Sequence, residues 1–349
     1  MTRYDEILRL DALYEPFPAF NHWSRPLQVP IPSELVAKLI AKEDGSEAEA
    51  RDFSSGIAVA VRAAAFETGA IEKLYSTDRG LTISVALQSV AWDQQVTQRS
   101  KNARKLFDSQ LEAYELLVDN VSGNSPLSEA FLRRMHEVIC ANQETYDVET
   151  PQGVQEQALP KGIYKIHPNH LAEDRHQKPF AFAPVGRVTD EIQRLISECR
   201  RPEFVSADPV LQAAWAHYAL VRVHPFADGN GRVARALASA FLMKAYRVPL
   251  LIFSDQRDEY LQALESADGD RPDSLVNLFS RCTIASLELA TESMNLRPKR
   301  DSSKSIEALA KLYKTAQGLT HQEVDLAAYR LADELIGQLN ALLKVHLCS

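Results

Sequence analysis

Apolar residues recur three and four positions apart along most of this chain, the spacing that lines one face of an α-helix. Phe53, Ile57, Val61 and Ala64 form such a stripe and predict a helix from residue 47 to about 67. The same spacing predicts helices over 83–96 and 103–118. In 128–141, Phe131, Leu132, Met135, Val138 and Ile139 share one side. Ser33 suits an N-cap for a helix starting at Glu34, because its hydroxyl can accept from the first free N–H groups. Asp208-Pro209 pairs a capping carboxylate with a proline at the first helical position, opening a helix through Val223. Further helices are predicted over 188–198, from about 230 to 246, and over 258–267 and 274–294.

Two stretches break this texture. Pro16, Pro18, Pro26, Pro30 and Pro32, set among aromatics, predict an extended segment lying across a helical body. Between 151 and 184, glycines and prolines surround two β-prone pieces, Gly162-Ile163-Tyr164-Lys165-Ile166 and Phe180-Ala181-Phe182, which predict a β-hairpin. The expected fold class is therefore all-α with one small β-hairpin. Residues 297–303 read as a linker. The tail beyond carries two more helical stripes, one of them Leu331, Leu335, Leu339 and Leu342. No basic cluster marks that tail, so it suits a dimerisation helix pair, giving a homodimer, better than a nucleic-acid-binding winged helix.

Composition narrows the class further. The chain has 349 residues, 45% hydrophobic and 25% charged, enough for a substantial core. A net charge of −8 argues against nucleic acid as a partner. No apolar run reaches the ~18 residues of a membrane span, and the first residues lack a signal-peptide pattern. A cytoplasmic protein with no membrane partner is expected. Cys140, Cys199, Cys282 and Cys348 are scattered without a CxxC pair and read as reduced thiols.

The chemistry concentrates in residues 224–235, His-Pro-Phe-Ala-Asp-Gly-Asn-Gly-Arg-Val-Ala-Arg. His224 precedes a proline, which biases it away from helical dihedrals, so an incoming helix should end there. Gly229 and Gly231 leave room for a ligand against the backbone, and successive N–H groups before a helix form an anion-binding concavity. Arg232 and Arg235 would occupy the first turn with both guanidiniums on one face, a placement that opposes the helix dipole unless an anion lies between them. With ATP docked on this loop, backbone amides and the Asn230 side chain would donate to phosphate oxygens. Asp228 could hold Mg²⁺ between two phosphates. Neutral His224 could take a proton from an incoming hydroxyl. Phe226 reads as a core anchor, Trp215 as core, and His217 as a buried, hydrogen-bonded support for the loop. His167-Pro-Asn-His170 has no cysteine or carboxylate partner at metal-ligand spacing and reads as flap residues that are polar by default.

The segment resembles the signature of Fic-domain proteins, HPFx(D/E)GNGRxxR, at all nine specified positions. The resemblance covers roughly residues 60–290 and implies a helical bundle with a β-hairpin flap. Its implied activity is transfer of AMP from ATP to a Ser, Thr or Tyr hydroxyl of a target protein. By position, His224 is then the base and Asp228 the Mg²⁺ ligand. Gly229, Asn230 and Gly231 form the anion hole, and Arg232 and Arg235 clamp the triphosphate. Relatives that phosphorylate carry lysine at the second loop glycine, which is Gly231 here. Gly162-Ile163-Tyr164-Lys165 with Ala183-Pro184 resembles the family flap, so residues 160–184 would receive an extended target segment by strand addition. Thr68-Gly-Ala-Ile-Glu72 resembles the inhibitory motif (S/T)xxxE(G/N), which implies a Glu72–Arg235 salt bridge; Lys73 departs from it. Tyr260 and Asn277 fall where the family often contacts the nucleotide base. The implied organisation is an N-terminal helical region bearing the inhibitory motif (1–95), a catalytic core (96–295) and a helical extension (296–349). Two other readings compete with it: a hydrolase that removes AMP from a modified protein, and a non-catalytic nucleotide-binding regulatory module.

Overall fold

Side-chain caps open four of the described helices, but Ser33, the expected cap, is itself the first helical residue after Pro32 and makes no capping bond. Ser46 accepts from Glu49 N–H while the Glu49 carboxylate accepts from Ser46 N–H, a reciprocal box that opens the longest helix. Asp78, Ser128 and Asp208 each accept from a backbone N–H two or three residues on. The computed structural model describes residues 3–23, 25–88, 92–100, 102–171 and 179–294. Its elements are α1 (Arg3–Arg9), α2 (Ser33–Ile40), α3 (Glu47–Ile71), α4 (Arg79–Ala86), α5 (Trp92–Arg99), α6 (Ala103–Ser122) and α7 (Glu129–Ile139). Strands β1 (Thr145–Thr150) and β2 (Gly153–Ala158) follow. Then come α8 (Val188–Glu198), α9 (Pro202–Val205), α10 (Pro209–Val223), α11 (Asn230–Tyr246), α12 (Arg257–Asp268) and α13 (Asp273–Ser293).

α10 is buried almost all round, as a helix reading Val-Leu-Gln-Ala-Ala-Trp-Ala-His-Tyr-Ala-Leu must be. It packs on α11, α13 and α8, while α3 lies against α13, α6 and α4. One apolar core runs from Tyr14 to Leu289 and takes in Trp215 and Phe226, both fully buried. The proline-rich segment wraps this body as expected. Phe17, Phe20 and Trp23 insert against Trp215, Phe204 and Tyr218, and Trp215 Nε1 donates to Pro18 O at 3.0 Å.

Three expectations are corrected. The helix predicted over 83–96 is broken: α4 stops at Ala86, Gln88 turns left-handed (φ 51°), and α5 starts at Trp92. The regular hairpin lies earlier than predicted, with β1 and β2 antiparallel in the register Thr145↔Ala158 to Thr150↔Gly153. The β-prone piece 162–166 does not pair with 180–182. Tyr164 bridges instead to Phe226 of the signature loop, and Leu171 pairs with Phe180 through two hydrogen bonds of 3.0 and 2.9 Å. Capture by the signature loop, a contact distant in sequence, outweighed local strand preference. Finally, α3 runs past residue 67 to Ile71, which puts Glu72 at its C-cap. The linker at 297–303, the tail stripes and Cys348 lie outside the described residues. The other three cysteines are free thiols.

Candidate active site

α10 ends where proline forbids another turn, and His224 caps it in the left-handed region (φ 50°, ψ 57°). For a residue with a Cβ this conformation costs about 1–2 kcal/mol, so surrounding contacts must hold it. Its N–H donates to Leu220 O at 2.9 Å, and its ring stacks on Phe182 with centroids 3.9 Å apart. Nδ1 lies 3.2 Å from Val221 O. A carbonyl can only accept, so Nδ1 carries the proton and Nε2 is left bare. Burial, then the nearby Lys165 ammonium, lowers the imidazole pKa to about 4. At neutral pH the ring is an unprotonated acceptor.

The loop after it closes on itself. Asn230 Oδ1 accepts from Phe226 N–H and its Nδ2 donates to Phe226 O, both at 2.8 Å. These two bonds hold the Asn230 side chain against the loop and use one of its two amide N–H donors. Its backbone N–H remains at the start of α11. The first bond of that helix runs from Val233 N–H to Gly229 O, so the N–H groups of Asn230, Gly231 and Arg232 lie ahead of the ladder. Gly229 sits at φ 77°, where glycine is unstrained.

The two arginines, three apart on α11, turn their guanidiniums to different neighbours. Arg232 Nη2 donates to Gln143 Oε1 at 2.6 Å, while its Nε and Nη1 find no acceptor although the side chain is buried. Gln143 also donates to Asp228 Oδ2 at 2.6 Å, and Gly229 N–H donates to Oδ1. Burial pulls the Asp228 carboxyl upward, but Arg232 and these two donors outweigh it and hold it below the usual carboxylate range. Gln143 was not singled out by the sequence, because a lone glutamine between a helix and a strand carries no signal. His136 was missed for the same reason. Its Nδ1 accepts from Gly162 N–H, so Nε2–H donates to Asp228 O at 3.0 Å, and its ring stacks on Phe226 at 3.9 Å.

Arg235 reaches α3 instead. Nε donates to Thr68 Oγ1 (2.8 Å), and Nη2 to Thr68 O (3.0 Å) and Glu72 Oε1 (2.7 Å). The salt bridge implied by the inhibitory motif is present in this structure, and the threonine of the motif is part of it. Burial works against the Arg235 charge, but Glu72 and Tyr260 more than offset it. Arg235 is 2% exposed and Glu72 is 35% exposed, so the carboxylate stands between the guanidinium and solvent. A Cβ on Gly231 would fall 2.3 Å from Glu72 Oε1; only glycine lets the carboxylate lie over the loop.

The end of α3 explains how Glu72 is held. Leu74 N–H bonds to Gly69 O and Lys73 N–H to Ala70 O, the paired closure that needs a left-handed residue after the cap. Lys73 takes that place at φ 59°, which is why glycine or asparagine suits it better. Arg257 Nε donates to Ile71 O at 2.8 Å and ties the helix end to α12. Tyr260 links the two halves of the site. Its hydroxyl is 3.4 Å from Arg235 Nη1 and 2.9 Å from Nε2 of the fully buried His217. Asn277 bonds to Gln28 at 2.8 Å and does not line the cleft.

These groups border one cavity of about 770 Å³, lined by Glu72, His224, Asp228, Gly229, Asn230, Gly231 and Tyr260, with apolar walls from Phe180, Phe182, Leu261 and Leu264. Fold and site together define a helical protein with a histidine-headed anion loop at a helix N-terminus. The Fic/DOC family model matches residues 126–242, the stretch that holds the signature loop. It is 45% identical over 86 residues to the protein adenylyltransferases Fic of Drosophila persimilis and Drosophila mojavensis. That stretch is 24% of this chain and only 16% and 17% of those relatives. A Fic domain containing signaling protein from Bacteroides thetaiotaomicron superposes with TM-score 0.58 at 21% identity, covering 75% of this chain and 95% of that one. Fic-1 from C. elegans gives 0.52 at 19% identity over 74% and 71%. Both solved structures establish the helical fold with its hairpin. Among the described residues no helix is long and apolar enough to cross a membrane.

Proposed function

We propose that this chain is an Mg²⁺- and ATP-dependent protein adenylyltransferase held inactive by Glu72. The observation that carries the proposal is the Arg235–Glu72 contact at 2.7 Å, at the rim of a cavity that also receives a neutral His224 and an ionised Asp228. The N–H groups at the start of α11 are oriented for phosphate oxygens. Arg232, with two buried donors lacking an acceptor, fits beside an anion. Asp228 fits a magnesium site, since Mg²⁺ is usually held by one or two carboxylates together with phosphates and water. Bound there, Mg²⁺ would neutralise phosphate charge.

In the proposed reaction the hydroxyl oxygen of a Ser, Thr or Tyr side chain attacks the α-phosphorus of ATP. The bond to the bridging oxygen breaks, pyrophosphate leaves, and the hydroxyl proton passes to His224 Nε2. With Glu72 in place, Arg235 is occupied and cannot reach a γ-phosphate. The target would dock as an extended segment along residues 160–184, where the Leu171–Phe180 pair stands beside the cavity.

Wild type, Glu72→Gly and Glu72→Gly/His224→Ala proteins, incubated with Mg²⁺ and α- or γ-labelled ATP, test this. Label from the α position alone, stronger in Glu72→Gly and absent without His224, is the expected result. γ-label on protein would make the enzyme a kinase. No label from either would overturn the proposal in favour of AMP removal or nucleotide sensing. Release of AMP from a modified protein, lost with Glu72, would then mark the hydrolase.

A further inference from the structure

Residues 164–170, read from sequence as part of the flap, wrap the back of the signature loop. Lys165 N–H donates to Pro225 O at 2.8 Å, and its neighbour Tyr164 bridges to Phe226. The Lys165 amino group is buried, 3% exposed, which lowers its pKa to about 7, and it donates to Asn169 Oδ1 at 2.6 Å. With Lys165 Nζ donating to the Asn169 oxygen, the amide nitrogen is left on the other side. The Asn169 NH₂ group is thereby turned to the loop, where it donates to Phe226 O at 2.9 Å and more weakly to His224 O at 3.4 Å. Those carbonyls flank Pro225, at the point where the chain leaves α10 in its left-handed turn.

We propose that Asn169, oriented by Lys165, is a positioning residue that clamps the His224–Phe226 turn and so keeps Nε2 of His224 bare and facing the cavity. The inference rests on His224 being the base. The left-handed backbone at His224 aims the ring so that Nδ1–H meets Val221 O. Without the clamp the turn relaxes, the ring leaves Val221, and nothing favours the Nδ1–H tautomer. The Lys165 charge acts in the same sense, since it disfavours imidazolium at His224. Two other residues complete the surround: His170 donates to Asp11 at 2.7 Å, and its Nδ1 accepts from Phe182 N–H, which seats the ring that stacks on His224.

Asn169→Asp is the discriminating substitution, since it keeps size and the Lys165 contact but replaces the donor with an acceptor facing two carbonyls. In the Glu72→Gly background kcat should fall about ten- to a hundredfold, part of the ~10²–10⁴ that a positioned base contributes, with KM for ATP within about twofold. Ring ¹⁵N spectra of His224, taken on folded protein without nucleotide, should move from the Nδ1–H tautomer to a mixture. Should Asn169→Asp not fold, Lys165→Met carries the same two readouts, with Lys165→Arg restoring both. An unchanged His224 spectrum overturns the clamp whatever the activity, as does a change confined to KM. A shifted spectrum in a protein that transfers no nucleotide in any form upholds the clamp while removing the adenylyl-transfer reading.

Discussion

Single residues at this site act through what holds them. Gln143 makes this plain: one amide carries both the Arg232 and the Asp228 contact, each at 2.6 Å. Replacing it with leucine removes both bonds without emptying the space. If Asp228 holds Mg²⁺ as proposed, loss of such a supporting contact typically costs about 10–100-fold in metal affinity or activity. The expected signature in Glu72→Gly enzyme is a raised Mg²⁺ requirement, measured by titrating Mg²⁺ at saturating ATP. His224 supplies a second prediction. Its pKa is depressed from 6.5 to about 4, so the free base is present above that value and lost as pH falls through it. Burial lowers the Lys165 pKa to about 7, so the test uses Glu72→Gly/Lys165→Met enzyme, whose kcat/KM should be flat from pH 6 to 8 on its acid side. A break near 6.5 would mean an imidazole in water.

At the scale of elements, the end of α3 presents Glu72 to Arg235, and its final turn decides where Glu72 lies. Lys73 occupies the left-handed position that closes the helix and accepts backbone strain there. Lys73→Gly should relieve it, for a net gain of up to about 1 kcal/mol once the flexibility of glycine is set against the ~1–2 kcal/mol strain. Chemical denaturation at pH 7 measures this. A tighter helix end should also lower residual nucleotide transfer, and a destabilised Lys73→Gly protein would contradict the account. The rest of α3 was readable in the sequence from Phe53, Ile57, Val61 and Ala64. Its end was not, because the closure depends on Arg257, which approaches from α12.

Across the whole molecule the proline-rich segment binds the bundle together. Arg222 donates to Glu15 O at 2.9 Å, and Trp23, fully buried, packs on Tyr218 with ring centroids 5.1 Å apart. Both partners lie on α10, which delivers His224. Trp23→Ala should therefore cost about 3–5 kcal/mol of stability, read from urea denaturation, and a loss well under that would mean the segment is only loosely laid on.

Much of the molecule was legible before folding was considered. Helix positions follow from 3.6-residue periodicity and capping side chains, which are local. The signature loop is also local: His-Pro ends one helix, and Gly229-Asn230-Gly231 opens the next within a few residues. Tertiary structure decided everything that joins distant segments. The β-prone stretch 162–166 pairs through Tyr164 with Phe226 of the signature loop, a partner distant in sequence that local strand preference cannot name. Arg232 and Arg235, adjacent on a helical wheel, were drawn apart by Gln143 on one side and by Thr68 and Glu72 on the other. A sequence can supply the charges and the turn. Which buried charge meets which partner depends on the packing that removes water from between them.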